Sequence, residues 1–232
     1  MKQLYQGKAK IVYEKSPQEV VIHFTDGATA GNGAKKATIE GKGVLNSRIS
    51  NLLFEYLGEN GVVTHFIKQL NDRDTLCRKV TIIPLEVIVR NIASGSIVRR
   101  LGIEKGTVFD QPTVEFSYKN DDLGDPLLND DHAVALKIAT REELDHIKRE
   151  ALKINDLLKS RFYSIAMTLV DFKLEFGKDD EGVIRLADEI SPDNCRLWNN
   201  ENISFDKDLF REDSGDLIEG YEAVYHLLEE TS

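Results

Sequence analysis

Apolar and polar residues alternate strictly over residues 169–177, which predicts a β-strand with two chemically different faces. Asp171, Lys173 and Glu175 share one face, and the apolar residues between them share the other. A second run, residues 184–193, follows a polar connection that ends in glycine. The two runs are therefore predicted to form a β-hairpin.

The charged face of this hairpin indicates candidate chemistry. Folding the second run back brings Asp188 close to that face, which then carries three carboxylates and one ammonium group. Such a group is costly to bury unless its charges are paired or bind a cation. Mg²⁺ typically takes one or two carboxylates together with phosphate oxygens. The pattern fits a metal–phosphate site, and it also fits a half-exposed strand with a solvated ladder of charges.

The periodicity of the other segments predicts two groups of elements. The N-terminal part reads as an antiparallel sheet with one helix at residues 44–57 and a loop at residues 25–43. Its strands are predicted at residues 9–14, 19–24, 64–70, 75–80 and 85–91. Residues 101–132 have little periodicity and are predicted to be mostly loop. Helices are predicted at residues 140–167 and 216–230, and the sum is a two-lobed α+β fold.

Composition and charge argue against some classes of function for this protein. The 232 residues are 41% hydrophobic and 30% charged, which is ordinary for a soluble globular protein. No apolar run approaches the roughly 20 residues that span a membrane, and the first residues do not resemble a signal peptide. Together with two free cysteines, these features lead us to expect a cytoplasmic protein with no membrane partner. The net charge of −10 argues against a nucleic-acid partner, but a local basic pocket can still bind small anions.

Gly7-Lys8-Ala9-Lys10 precedes the first predicted strand and is a candidate phosphate-binding segment. Gly7 permits close approach of the backbone, and alternation places Lys8 and Lys10 on one face. This arrangement would suit a nucleotide polyphosphate. A pair of lysines near a chain end is also typical of solvated surface.

A second candidate anion site follows the predicted strand at residues 85–91. The strand carries Glu86 and Arg90 on one face and leads into a turn, Ser94-Gly95-Ser96. A guanidinium beside hydroxyl and backbone N–H donors suits a phosphate monoester. The alternative is a structural Glu86–Arg90 ion pair next to an ordinary turn.

Two further groups carry positive charge. A glycine-rich segment, residues 29–36 with Lys42, is either a basic loop that closes over an anion or a solvated loop. Arg196 lies shortly after Asp188 and could reach the same cavity, whereas Trp198 is expected to pack in the interior.

Taken in order, these segments resemble the motifs of the SAICAR synthetase family. The resemblance runs from about residue 4 to residue 228, and its most specific parts are the segment from Arg90 to Ser96 and residues 169–177. The matching segments are residues 5–10, the Asn32-Gly33 loop, residues 84–90 with 94–96, residues 169–177 and residues 188–193.

The resemblance implies an ATP-dependent ligase of purine biosynthesis. Enzymes of this family join carboxyaminoimidazole ribonucleotide (CAIR) to L-aspartate and give SAICAR, ADP and phosphate, through an acyl phosphate. The implied fold has an N-terminal nucleotide-binding lobe, residues 1–83, and a C-terminal lobe that binds substrate and metal, residues 84–232, with ATP between them. ATP and Mg²⁺ are the implied cofactors, and a homodimer is the implied assembly.

The resemblance also implies a role for individual residues. Lys173 and Asp171 are the expected catalytic residues, and Glu175 and Asp188 the expected Mg²⁺ ligands. The expected ATP-binding residues are Gly7, Lys8, Ala9, Lys10, Val80, Glu175 and Asp188; those for CAIR are Arg90, Ser96, Arg196 and Arg211. Many relatives have an acidic or aromatic residue where this chain has Gly27 or Gly31, which leaves the aspartate contact open. Asn32, Lys35 and Lys36 are its candidates.

Two other functions remain open from the sequence. The same ATP site could serve a small-molecule kinase that lacks a second condensation step, or a nucleotide-binding regulatory protein without catalysis. Whether phosphate release depends on aspartate distinguishes the ligase, the kinase and the regulatory protein from one another.

Overall fold

The computed structural model describes residues 1–30 and 34–231. Two large β-sheets, a separate two-stranded sheet and six α-helices make up this part of the chain, and the fold class is α+β as predicted. The first elements in chain order are β1 Lys2–Gln6, β2 Lys10–Ser16, β3 Glu19–Phe24, β4 Gly27–Ala30, β5 Lys35–Thr38, α1 Lys42–Glu59, β6 Phe66–Gln69 and β7 Asp74–Arg78. The rest are β8 Thr81–Ile82, β9 Leu85–Ile92, α2 Ser96–Leu101, β10 Val108–Tyr118, β11 Leu127–Leu128, α3 Asp130–Ala135, α4 Arg141–Tyr163, β12 Thr168–Lys178, β13 Ile184–Ala187, β14 Cys195–Trp198, α5 Asp208–Arg211 and α6 Leu217–Glu230.

The first sheet is antiparallel and has the strand order β1-β2-β3-β7-β6. Its strands β2 and β3 lie where the sequence predicts them, and β1 is an additional edge strand. The loop predicted over residues 25–43 is wrong in part, because β4 and β5 form a separate hairpin there and α1 already begins at Lys42. These strands have four residues each, too few for a clear alternation.

The second sheet has the order β11-β10-β9-β12-β13, with β14 and β8 also paired to β12. The predicted hairpin is confirmed, since Glu175 lies opposite Ala187 in the β12–β13 pair. On its other edge, β12 places Asp171 opposite Arg90 of β9. The eleven-residue strand β12 is therefore the central strand on which the charged face is built.

The loop predicted over residues 101–132 is wrong, because this segment contains β10 and β11 and the start of α3. The register of β10 against β9 shifts between Val108 and Thr113, and Pro112 lies within the shifted part. An irregularity of this kind interrupts the two-residue period, and proline lowers the strand signal further. The alternation that identifies β12 is consequently missing from β10.

One apolar core joins the helices to the second sheet. The predicted apolar stripe of α4 is confirmed, since its residues Leu144, Ile147, Ala151, Ile154, Leu158 and Phe162 are all buried. Helix α4 begins with a capping box between Thr140 and Glu143, which fixes its N-terminus. Leu53 of α1 belongs to the same core. The division into lobes at residue 83 stays a prediction.

Both cysteines, Cys77 and Cys195, are buried free thiols as expected. Burial raises the pKa of each thiol, so neither is poised as a nucleophile. None of the helices within residues 1–30 and 34–231 combines the length and apolarity needed to cross a bilayer.

Candidate active site

Two cavities open between the sheets and share part of their walls. The larger cavity has a volume of about 790 Å³ and the smaller a volume of about 380 Å³. Seven residues line both: Lys8, Thr29, Glu86, Lys173, Asp193, Asn194 and Lys207. A group bound in one cavity can therefore meet a group bound in the other across this shared wall.

The larger cavity has an apolar part and a charged part. Side chains of the first sheet and of the connection to the second provide the apolar part: Leu4, Tyr5, Val12, Val20, Ile22, Val80 and Ile82. Val80 packs directly on the backbone of Gly177, where a Cβ atom would lie 2.6 Å from the valine Cγ2. Glycine is thus required at this position of β12, and the close contact fixes Val80 at the cavity wall.

The charged face of β12 forms the floor of the larger cavity. Lys173 Nζ donates to Glu86 Oε1 at 3.0 Å and to Glu175 Oε1 at 2.8 Å. Glu175 also accepts a short hydrogen bond from Lys119. Because Asp171 is 3% exposed and Glu175 2% exposed, the alternative of a solvated charge ladder is wrong. Lys173, between these two carboxylates, is partly exposed to the cavities.

The contacts within this cluster favour the charged forms of Lys173 and Asp188. Burial opposes the charge on Lys173, but the carboxylates of Glu175, Asp188 and Glu86 outweigh it and raise the lysine pKa well above its usual value. Burial likewise opposes the charge on Asp188, and Lys10, Lys173 and Lys119 together lower the pKa of that carboxyl. Lys173 and Asp188 are therefore both charged at neutral pH.

Asp188 is held in an uncommon backbone conformation directly after β13. Its φ of 64° lies in the left-handed region, which is rare for residues other than glycine. Lys10 donates to the Asp188 carboxylate and to Glu189 Oε1, the latter at 2.9 Å. Strained backbone that is kept by surrounding contacts is typical of functional sites.

His65 is buried beside this pair and stays neutral, because burial lowers its pKa to about 4.

Glu175 and Asp188 are the carboxylates that could hold a metal. Within the described residues, no group of three His, Cys, Asp or Glu side chains is placed to hold a metal ion without other ligands. Two carboxylates beside lysines instead fit Mg²⁺ that arrives with phosphate ligands, since Mg²⁺ is commonly held by one or two carboxylates and substrate phosphates. The donor set is therefore suited to a metal–nucleotide complex.

The smaller cavity is lined by three arginines. Arg90, Arg196 and Arg211 come from β9, β14 and α5. Arg90 also donates to the Ser96 hydroxyl at 3.1 Å, which links the Ser94-Gly95-Ser96 turn to this group. The alternative Glu86–Arg90 pair does not form, because Glu86 bonds Lys173 and Arg90 bonds Glu115 and Asp171. Converging guanidiniums suit a phosphate monoester.

The structure brings most of the predicted site residues together. Those on the larger cavity are Gly7, Lys8, Ala9, Lys10, Val80, Lys173, Glu175 and Asp188, and Lys173 also reaches the smaller one. Lys35 lines neither cavity, because its Nζ donates to the carboxylate of Asp213 at 2.6 Å. Lys36 is exposed on the same hairpin and lines neither cavity. Asn32 lies outside the described residues.

Several cavity residues are ones to which the sequence analysis assigns no role. Lys119 follows the unpredicted strand β10 and contacts Glu175, while Asp121 pairs with Lys8 at 2.7 Å. Lys207 lines both cavities, and burial lowers its pKa. The charged run at residues 119–122 was the one sequence signal for these residues. It indicates a cavity wall only once the position of β10, which precedes it, is known.

Comparison with known proteins identifies the family. The family model for SAICAR synthetase matches residues 3–228 of this chain. The chain belongs to the SAICAR synthetase family. A phosphoribosylaminoimidazole-succinocarboxamide synthase of Finegoldia magna is 58% identical over 226 residues, which are 97% of each chain.

Solved structures of SAICAR synthetases have the same fold. The enzyme of Ehrlichia chaffeensis superposes with a TM-score of 0.96 at 47% identity, over 98% of each chain. A SAICAR synthetase solved in complex with ADP superposes with a TM-score of 0.94 at 45% identity, over 97% of this chain and 96% of that one. The family resemblance and the fold class drawn from the sequence are thereby confirmed.

Proposed function

We propose that this protein is an ATP-dependent ligase that condenses CAIR with L-aspartate to give SAICAR, ADP and phosphate. The observation that carries the proposal is the shared wall of the two cavities, which places a lysine–carboxylate cluster next to an arginine cluster. Membership of the SAICAR synthetase family supplies the identity of the substrates.

In this proposal the larger cavity binds ATP. Its apolar part, which includes Val80, suits an adenine ring, and Lys8 and Lys10 suit the phosphates. Gly7 and Ala9 bring the backbone alongside them. The ADP complex of a family member supports a nucleotide site in this fold.

Glu175 and Asp188 are the proposed ligands of Mg²⁺. When bound, the ion would neutralise negative charge on the ATP phosphates. Lys10, Lys119 and Lys173 contact these two carboxylates already, so they add positive charge at the same place. The cluster combines the charges that phosphoryl transfer requires.

The smaller cavity is the proposed site of the CAIR phosphate. Arg90, Arg196 and Arg211 line it, and Ser96 contacts Arg90. This places the ribonucleotide on the side of the shared wall opposite to ATP. Lys173 lines both cavities and is the proposed catalytic residue beside the reacting groups.

The reaction needs activation of a poor electrophile. Transfer of the γ-phosphoryl group to a carboxylate oxygen of CAIR forms an acyl phosphate and releases ADP. The amine of aspartate then attacks the acyl carbon, the C–N bond forms, and phosphate leaves. Charge neutralisation and positioning by the lysines account for this chemistry without a nucleophilic serine or cysteine.

The proposal includes three further expectations, of which the assembly and the lobes rest on the family resemblance and the compartment on the composition of the chain. The protein is expected to be a homodimer, to work in the cytoplasm, and to divide into a nucleotide-binding lobe at residues 1–83 and a substrate-binding lobe at residues 84–232. We assign no aspartate contact to Lys35 or Lys36, since neither lines a cavity.

Phosphate release is expected to depend on all the proposed substrates. The purified protein is incubated with ATP, Mg²⁺ and CAIR, with and without L-aspartate. We expect phosphate release only in the complete mixture, and mass spectrometry should detect SAICAR in an amount equal to the ADP formed.

The other two functions give different results in the same assay. A kinase would accumulate phosphorylated CAIR without aspartate, and a regulatory protein would bind ATP without turnover. Either result would exclude the ligase. Replacing L-aspartate by L-alanine is the control for specificity, because the side-chain carboxylate is then absent.

A further inference from the structure

Positive and negative side chains alternate around the smaller cavity. Seven of them form one chain of contacts, which we call the arginine–carboxylate chain. In order they are Arg100, Glu115, Arg90, Asp171, Arg196, Asp208 and Arg211. Each carboxylate in this chain contacts two arginines.

Asp171 lies at the centre of the chain and contacts two guanidiniums. Its Oδ2 accepts from Arg90 Nη1 at 2.6 Å, and its two oxygens accept from Arg196 Nη1 at 3.0 and 2.9 Å. The sheet creates this row, because Asp171 of β12 lies opposite Arg90 of β9 on one side and Arg196 of β14 on the other. Asp171 is only 3% exposed, and its hydrogen bonds are directed to arginines.

Asp208 makes the second bridge. It accepts from Arg196 Nε at 2.7 Å and from Arg211 Nη1 at 2.5 Å. Burial opposes its charge, but Arg196 and Arg211 lower its pKa, so it remains a carboxylate. Asp206 accepts the backbone N–H groups of Leu197 and Asp208, each at 2.8 Å, and so ties the segment that carries Asp208 to β14.

These bridges leave other N–H donors of the arginines for a ligand. Arg196 donates from Nε to Asp208 and from Nη1 to Asp171. Its Nη2 lies against Gly95, so closely that a Cβ atom at position 95 would be 2.6 Å from this nitrogen. A side chain at position 95 would therefore displace the guanidinium. Six cationic and three acidic side chains line the smaller cavity, a formal net charge of +3 that attracts a phosphate, while the carboxylates reduce repulsion among the cations.

We propose that Asp171 and Asp208 are positioning residues that fix the orientations of Arg90, Arg196 and Arg211 for the phosphate group of the ribonucleotide. This assignment rests on the proposed function for the identity of the ligand. Asp171 then acts through the arginines and not on the reacting atoms. Preorganised guanidiniums bind a phosphate more tightly because their side chains lose little further freedom on binding.

The variants Asp171→Asn and Asp208→Asn test the proposal. We expect each to raise the dissociation constant for CAIR, measured by calorimetry without ATP, by about 10- to 100-fold, since each removes charge-assisted hydrogen bonds that align arginines. In steady-state assays KM for CAIR should rise, while KM for ATP should change less than about twofold. A merely structural role would not separate the two Michaelis constants.

Asp179→Asn is the matched control. Asp179 also pairs with an arginine, Arg185 Nε at 2.7 Å, its side chain is 4% exposed, and it lines neither cavity. The control should lose thermal stability without weaker CAIR binding. If Asp171→Asn does not fold, Asp208→Asn decides alone, because Asp208 lies in the short helix α5 instead of the central strand.

The outcomes separate this proposal from the proposed function. Wild-type protein that does not bind CAIR would contradict the function itself. Wild-type binding that both variants retain within about twofold, or that the control loses equally, would overturn the positioning role alone.

Discussion

Glu175→Gln and Asp188→Asn are each expected to lower kcat/KM by about 10³-fold while the protein stays folded. Both carboxylates line the larger cavity and face lysines that the proposal places at the ATP phosphates. Each substitution keeps the size of the side chain and removes one negative charge. Steady-state kinetics at saturating ATP, with a Mg²⁺ titration, measures the effect.

In these variants the dissociation constant for ATP should change by a much smaller factor than kcat, because Lys8, Lys10 and the apolar wall of the larger cavity remain. Glu181→Gln is the control, since Glu181 is exposed in the same β12–β13 hairpin and should leave kinetics unchanged. Near-wild-type turnover of either variant at low Mg²⁺ would exclude the substituted carboxylate as a metal ligand and contradict the proposed pair.

Lys42→Met is expected to lower the free energy of unfolding by about 3–5 kcal/mol, the usual effect of breaking a buried ion pair. Lys42 is fully buried, and its Nζ donates to Asp193 Oδ2 at 2.5 Å and to the Gly27 carbonyl at 3.1 Å. Tyr221 of α6 donates to the other Asp193 oxygen at 2.7 Å. Methionine fills a similar volume but leaves Asp193 without its closest positive partner. Urea unfolding measures the change.

Lys36→Met provides the control for this change, because Lys36 is exposed and the substitution should alter stability by less than about 0.5 kcal/mol. Adding Asp193→Asn to Lys42→Met removes the buried negative charge that has lost its closest partner. The double variant should therefore lose less free energy of unfolding than the sum of the losses of the two single variants. A loss below about 1 kcal/mol for Lys42→Met would contradict the importance of this pair for folding.

The sequence was most informative where residue period and motif coincide. The alternation in β12 predicted both the strand and its charged face, and the polar turn after it predicted the position of Asp188. The apolar period of α4 predicted a helix whose stripe is buried. In such segments local pattern and tertiary packing favour the same structure.

Other parts of the fold depend on contacts that the sequence does not display. β10 is interrupted by an irregularity near Pro112, and strands of four residues such as β14 are too short for a period to emerge. Lys42 appeared to belong to a basic loop, but in the fold it is fully buried and pairs with Asp193, to which Tyr221 also donates.

The candidate site was predictable at its motif positions and not elsewhere. Lys119 and Lys207 reach the cavities from segments without a recognisable period. The alternation of arginines and carboxylates around the smaller cavity was likewise hidden, because Arg90, Asp171 and Arg196 are distant in sequence and meet only through strand pairing.

A crystal structure with a non-hydrolysable ATP analogue, Mg²⁺ and CAIR tests the central claim most directly. The account predicts the ion between the nucleotide phosphates and the carboxylates of Glu175 and Asp188, and the CAIR phosphate on Arg90, Arg196 and Arg211. An ion bound elsewhere, with both carboxylates still paired only to lysines, would contradict it.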